Sequence, residues 1–149
     1  MAKSKAKILV VDDNSGIRAA LKVLLPLHFS QVELIPSPKE LVTKMADFRP
    51  DVVLLDMNFH TDINTGNEGL FWLSEIKKRS PDTEVVLFTA YADIQLAVEG
   101  MKRGAFDFIV KPWDNDKLVE TLKAAYDRTG KKEKATVAPS SMKMYWGKG

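Results

Sequence analysis

Residues 52–72 read VVLLDMNFHTDINTGNEGLFW. Four apolar residues, Val52 to Leu55, run straight into a carboxylate, Asp56, and a segment rich in Asn, Gly, Thr and Asp follows. A short, continuously apolar run fits a strand covered on both faces, and the polar segment after it fits an exposed loop. Asp56 therefore stands at the edge between core and water. LFWLSEIKKR, after Gly69, completes a strand–loop–helix unit.

The same unit recurs on both sides. KILVV (7–11) ends at Asp12 and Asp13, and Ile17, Leu21, Leu24 and Leu25 follow at helical spacing. Ser15 stands where it could cap that helix, and Pro26 would end or kink it. QVELI (31–35) is closed by Pro36 and Pro38, and Leu41, Met45 and Phe48 mark a helix that stops before Pro50. EVVLFTA (84–90) precedes a short stripe of Ile94, Ala97, Val98 and Met101 that ends near Gly104. FDFIV (106–110) runs into Lys111-Pro112, and Leu118, Leu122, Ala125 and Tyr126 stripe a last helix. Five strand–helix units predict an α/β fold, a doubly wound five-stranded parallel sheet with helices on both faces. Such sheets bind ligands at the carboxyl ends of their strands, beside the point where strand order reverses.

Composition narrows the class. With 149 residues, 45% of them apolar, the chain can bury a real core. Its longest apolar runs are four or five residues, so no helix is expected to span a membrane. The apolar stretch in MAKSKAKILVVDD is too short for a signal-peptide core and meets two acids at once. There is no cysteine, which excludes disulfides and thiolate metal sites, and the chain reads as cytoplasmic. The net charge of +2 comes from the tail: residues 130–149 hold five of 22 basic and one of 20 acidic groups. Residues 1–129 therefore carry 17 basic and 19 acidic groups, a net of −2, which gives no support for a nucleic-acid-binding body.

The strand ends collect a distinct set: Asp12 and Asp13 after the first, Asp56 on the third, Thr89 on the fourth and Lys111 after the fifth. Singly, each has an ordinary reading, as a helix cap, a loop opener, a strand-forming threonine or a solvated lysine. Jointly they would share one shallow site. Crowded carboxylates repel one another unless a cation lies between them. A hard divalent ion with oxygen ligands, such as Mg²⁺, answers that need, and no His or Cys at these strand ends suggests zinc. One carboxylate could then serve as a nucleophile and accept a phosphoryl group, with Lys111 and Thr89 neutralising and bonding it.

ILVVDDN, DVVLLDM, VVLFTAYAD and GAFDFIVKPWD, in this order and spacing, resemble the receiver domain of two-component response regulators over about residues 6–129. The resemblance implies a CheY-like fold with Asp56 as phosphoacceptor. It implies Mg²⁺ on Asp13 and Asp56, with Asp12 in the acidic pocket and the Asn58 carbonyl completing the metal site. Thr89 and Lys111 would contact the phosphoryl group. Phe108 falls on the aromatic switch position, although a buried strand aromatic reads the same way. Such a domain is a switch rather than an enzyme, beyond catalysing its own phosphotransfer and autodephosphorylation, and its partner is a sensor histidine kinase.

AYADIQLAVEGMKRGAFDFIVKPWDNDKLVETLKAA is similar to NtrC-type regulators in particular. These commonly dimerise and continue into an AAA+ ATPase and a helix-turn-helix domain. DNA and sigma-54 RNA polymerase would thus be reached only through downstream domains, and no membrane is implied. Residues 130–149, with KKEKATVAPSS and MYWG, read as a linker or the opening of such a domain.

One departure stands out. Receivers commonly carry Met-Pro after the phosphoacceptor and a Gly about eight residues on. Here Phe59-His60 stands in that place and Gly69 comes thirteen residues after Asp56, so 59–68 reads as an inserted loop. Rival classes fit less well. A haloacid-dehalogenase-type phosphatase needs an Asp where Asn58 stands, and VVDDNSG has acids where a nucleotide-binding turn needs glycines. A receiver-like scaffold that binds partners without phosphorylation is the alternative the inserted loop leaves open.

Overall fold

The structure is a computed structural model that describes residues 3–57 and 68–130. Its strands are β1 (Ser4–Val11), β2 (Phe29–Ile35), β3 (Val52–Asp56), β4 (Glu84–Ala90) and β5 (Asp107–Lys111). Its helices are α1 (Ser15–Leu24), α2 (Leu41–Asp47), α3 (Glu68–Arg79), α4 (Ile94–Lys102) and α5 (Asn115–Arg128). All strand pairs are parallel, in the order β2-β1-β3-β4-β5. The doubly wound sheet expected from the apolar runs is the one observed. The order reverses between β1 and β3, so the ends of those two strands flank the crevice where such folds bind ligands.

Strand parity divides the core. Ile8, Val10, Leu54, Val86, Phe88 and Ile109 face α1 and α5, where Leu21, Leu118, Leu122 and Ala125 cover them. Leu9, Val11, Val53, Leu55, Val85 and Leu87 face α2, α3 and α4, against Leu41, Leu73, Ile76 and Ala97. Period-two alternation sends successive side chains to opposite faces, and a strand apolar at every position is stable only when both faces are covered. Two glycines let helices approach closely. A Cβ on Gly69 would lie 2.8 Å from the Met57 Cα, so α3 starts almost on the backbone that follows Asp56. A Cβ on Gly100 would meet the Leu87 side chain, which sets α4 down on β4.

Several boundaries differ from the sequence reading, each for a local reason. The cap of α1 is Asn14 rather than Ser15: the Asn14 side chain accepts from Ile17 N at 3.0 Å, and Ser15 is already helical. α1 does end ahead of Pro26, at Leu24, and the proline itself lies in a 3₁₀ turn, Leu25–Leu27, where its missing N–H matters less. β1 starts three residues early because Ser4 N donates to His28 O at 2.9 Å. β5 lies one residue later than expected, which makes Lys111 its last residue, on the same side as Ile109. No helix among the described residues is long and apolar enough to cross a membrane.

Candidate functional site

β1 and β3 end side by side, with Val11 in register with Leu55, so Asp12, Asp13 and Asp56 come together at the crevice. One carboxylate oxygen from each lies within 4.8 Å of the others. Asp12 and Asp56 are almost wholly buried, at 0% and 1% exposure, while Asp13 is half-buried at the mouth. Lys111 reaches in from β5: its Nζ donates to Asp56 Oδ1 at 3.1 Å and lies 2.9 Å from Asp12 Oδ2. That oxygen has the ion pair with the ammonium and no hydrogen bond among the described residues. The other Asp12 oxygen accepts from Asn14 N at 2.9 Å.

Charge and ligand chemistry fit a hard cation. Three carboxylates against one ammonium leave a formal −2, the charge one divalent ion balances. All the ligand atoms are oxygens, as Mg²⁺ prefers, and Asp12 Oδ2 is a buried carboxylate oxygen paired to Lys111 without a hydrogen bond among the described residues. The half-exposed Asp13 leaves one side open for water and an incoming anionic group.

Four of the residues expected at the strand ends thus converge. Thr89 stands beside them on β4, one position past Phe88, the register partner of Asp56. Its buried hydroxyl donates long bonds to the carbonyls of Ala90, 3.3 Å, and Asp93, 3.4 Å, so it is engaged with its own loop. Phe108 is partly buried against the α2–α4 core, in register with Leu87. Asn58, His60 and the inserted loop up to residue 67 lie outside the described residues, as do residues 131–149.

Other participants escaped the sequence reading. Arg18 on α1 donates to the Asp12 carbonyl at 2.9 Å and fastens the acidic turn to the helix that follows it. The Phe88 ring lies beneath Lys111, its centroid 4.8 Å from Nζ, and Trp113 packs on that ring at 5.3 Å. The Arg18 contact joins residues only six apart, across the turn into α1. The aromatic contacts depend on the β4–β5 register, which no local pattern reveals.

Residues 8–123 match the response regulator receiver domain model, and the chain belongs to that family. Receivers of this family act as phosphoacceptor switches and typically bind Mg²⁺. The regulatory protein AtoC of Escherichia coli K12 is 34% identical over 112 residues, 75% of this chain and 23% of the relative. The DNA-binding transcriptional regulator NtrC of Salmonella typhimurium is 34% identical over 118 residues, 79% of this chain and 24% of the relative. The crystal structure of an N-terminal signal receiver domain from Bacteroides fragilis superposes with a TM-score of 0.75 at 57% identity, covering 83% of this chain and 98% of that one. The domain is thus a receiver of the NtrC type, and the chain spans about a quarter of the length of these two curated relatives.

Proposed function

We propose that a sensor histidine kinase phosphorylates this domain on Asp56. A carboxylate oxygen of Asp56 attacks the phosphorus, the bond from phosphorus to the donor imidazole nitrogen breaks, and the released imidazole takes a proton from solvent. The observation that carries this reading is the burial of Asp56 at a strand end with Lys111 Nζ 3.1 Å from it. A carboxylate walled from water on one side and facing a fixed ammonium has its target charge already neutralised.

Asp12, Asp13 and Asp56, with the Asn58 carbonyl, are the residues that would hold Mg²⁺. When bound, that ion supplies further neutralisation of the phosphoryl oxygens. Lys111 bonds one phosphoryl oxygen and keeps its pair with Asp12. Thr89 gives up its long bonds to Ala90 and Asp93 and donates to another oxygen. Those bonds are near the outer limit of useful geometry, so the exchange costs little. Vacating the loop side of Thr89 opens room into which Phe108 turns, and the surface of α4 and β5 changes. Carrying such a switch from mostly inactive to mostly active needs about 5 kcal/mol of differential stabilisation. One charge-assisted bond gives about 1.5–3 kcal/mol, so Lys111, Thr89 and the metal act together.

The domain is a switch and turns over no separate substrate. Residues 1–129 form it, and 130–149 lead toward an AAA+ and DNA-binding output that acts with sigma-54 RNA polymerase. The length of the curated relatives supports that organisation. Control of the output through a receiver homodimer, in the cytoplasm, completes the reading. Intact-mass measurement after incubation with acetyl phosphate tests it. A single phosphoryl adduct that needs Mg²⁺ and is lost in Asp56→Asn is expected. No adduct on a folded, Mg²⁺-binding protein would mean that the inserted loop closes the site to small donors; no adduct together with no Mg²⁺ binding would sink the phosphoacceptor role and leave a scaffold that works by partner binding.

A further inference from the structure

The ammonium of Lys111 has a third neighbour besides its two carboxylates. Its Nζ stands 4.8 Å from the centroid of the Phe88 ring. Phe88 is fully buried in the α1–α5 core, and Trp113 braces it at 5.3 Å with the ring planes tilted by 58°. The indole N–H is itself fixed on Asn115 Oδ1 at 2.8 Å. Register explains the stack: Phe88 pairs with Asp56 on one side and with Ile109 on the other, two positions before Lys111. The ammonium therefore lies over the ring while it meets the carboxylates.

We propose that Phe88 is a positioning residue for Lys111, holding the ammonium over Asp56 through the negative face of its ring. This rests on the phosphoacceptor reading of Asp56. A lysine stem has four flexible carbons, and at 19% exposure this one has water within reach. Two carboxylates hold the ammonium only while both keep their charge in place. Once Asp56 becomes the nucleophile, that contact changes character, whereas the ring contact does not. The ring thus keeps the ammonium in position through the step at which it must move from carboxylate to phosphoryl oxygen. A cation over a desolvated ring is held more strongly than one in water.

The test is a series of full-length proteins carrying phenylalanine, 4-fluoro-, 3,5-difluoro- or 3,4,5-trifluorophenylalanine at position 88. Fluorine scarcely alters the ring's size but progressively removes the negative potential of its face. The rate of acetyl phosphate adduct formation, measured by intact mass with Mg²⁺, should fall stepwise by about five- to thirtyfold in total. The melting temperature should stay constant. A flat series overturns the proposal, because the ring's negative face is the property the series removes. A second readout needs no phosphorylation: the Lys111 Hε protons should resonate upfield in the parent and return toward ordinary positions in Phe88→Leu. Equal shifts in the two proteins would also overturn it. If no member of the series forms an adduct, the Hε shifts alone decide the contact, and the phosphoacceptor reading fails as well if none binds Mg²⁺.

Discussion

Replacing Lys111 with methionine keeps an apolar stem of similar length and removes the only ammonium in the acidic crevice among the described residues. Asp12 and Asp56, at 0% and 1% exposure, would then share the site without that counter-charge. Taking one partner from a buried pair costs about 3–5 kcal/mol. The lysine side chain is 19% exposed and Asp13 lies at an open mouth, so solvent screening reduces this to about 2–3 kcal/mol. For a domain of this size the melting temperature should fall by roughly 6–15 °C in EDTA. Mg²⁺ should restore part of the loss. Without the ammonium the three carboxylates carry a formal −3 instead of −2, so the ion binds more tightly to Lys111→Met than to the parent. Each tenfold gain in affinity adds about 1.4 kcal/mol to the stabilisation at saturating metal. Thermal unfolding followed by circular dichroism, with EDTA and across a Mg²⁺ series, reads both effects. A variant as stable as the parent in EDTA, or one with the same Mg²⁺ increment, would refute the charge count.

Three further outcomes are expected. Gly69→Ala drives a Cβ to 2.8 Å from the Met57 backbone and should cost about 1–3 kcal/mol in urea unfolding; a neutral result would mean α3 can back away from β3 freely. Asn14→Ala removes the side chain that caps Ile17 N and should cost about 1 kcal/mol, whereas Ser15→Ala should change stability by less than half of that. The hydrogen bond that Lys44 donates to the Glu33 carboxylate holds its ammonium above the ordinary value of 10.5. The pair's contribution is therefore fully present at neutral pH and fades only as pH climbs through the raised value. An NMR titration of Lys44 should move back toward 10.5 in Glu33→Gln, and an unmoved titration would remove Glu33 as the cause.

How much of this was legible beforehand depends on the range of the interaction. VVLLD and EVVLFTA declare buried strands because nothing but a doubly covered sheet accepts such runs. The acids, threonine and lysine at the strand ends could be gathered from the sequence because a parallel sheet brings every strand's carboxyl end to one edge. The α1 cap was misread because Asn14 and Ser15 are both good capping residues, and only the backbone angle at Asn14, ψ 115°, distinguishes them. The direction of the Thr89 hydroxyl was beyond reach, since it depends on where the carbonyls of Ala90 and Asp93 turn. Phe88 read only as another apolar residue of a strand. Its place beneath Lys111 follows from a register between two strands joined through α4, and that register is fixed by tertiary packing.

The alternation of side chains along β1, β3 and β4 has a practical consequence for anyone wishing to redesign this domain. The sheet backbone separates two packed layers, so substitutions well apart on opposite layers, such as Leu122→Ile in α5 and Leu73→Met in α3, should combine with energies that simply add, within about 0.5 kcal/mol. Stability can therefore be recovered on one layer to offset losses on the other, without re-optimising both at once. That independence ends at the last rungs of β4. There Phe88 lies beneath Lys111 and Thr89 carries the next hydroxyl, and neighbouring residues look into different layers while standing beside the same carboxylate. A combinatorial library crossing those two positions should show single-mutant energies that no longer predict doubles across the two layers.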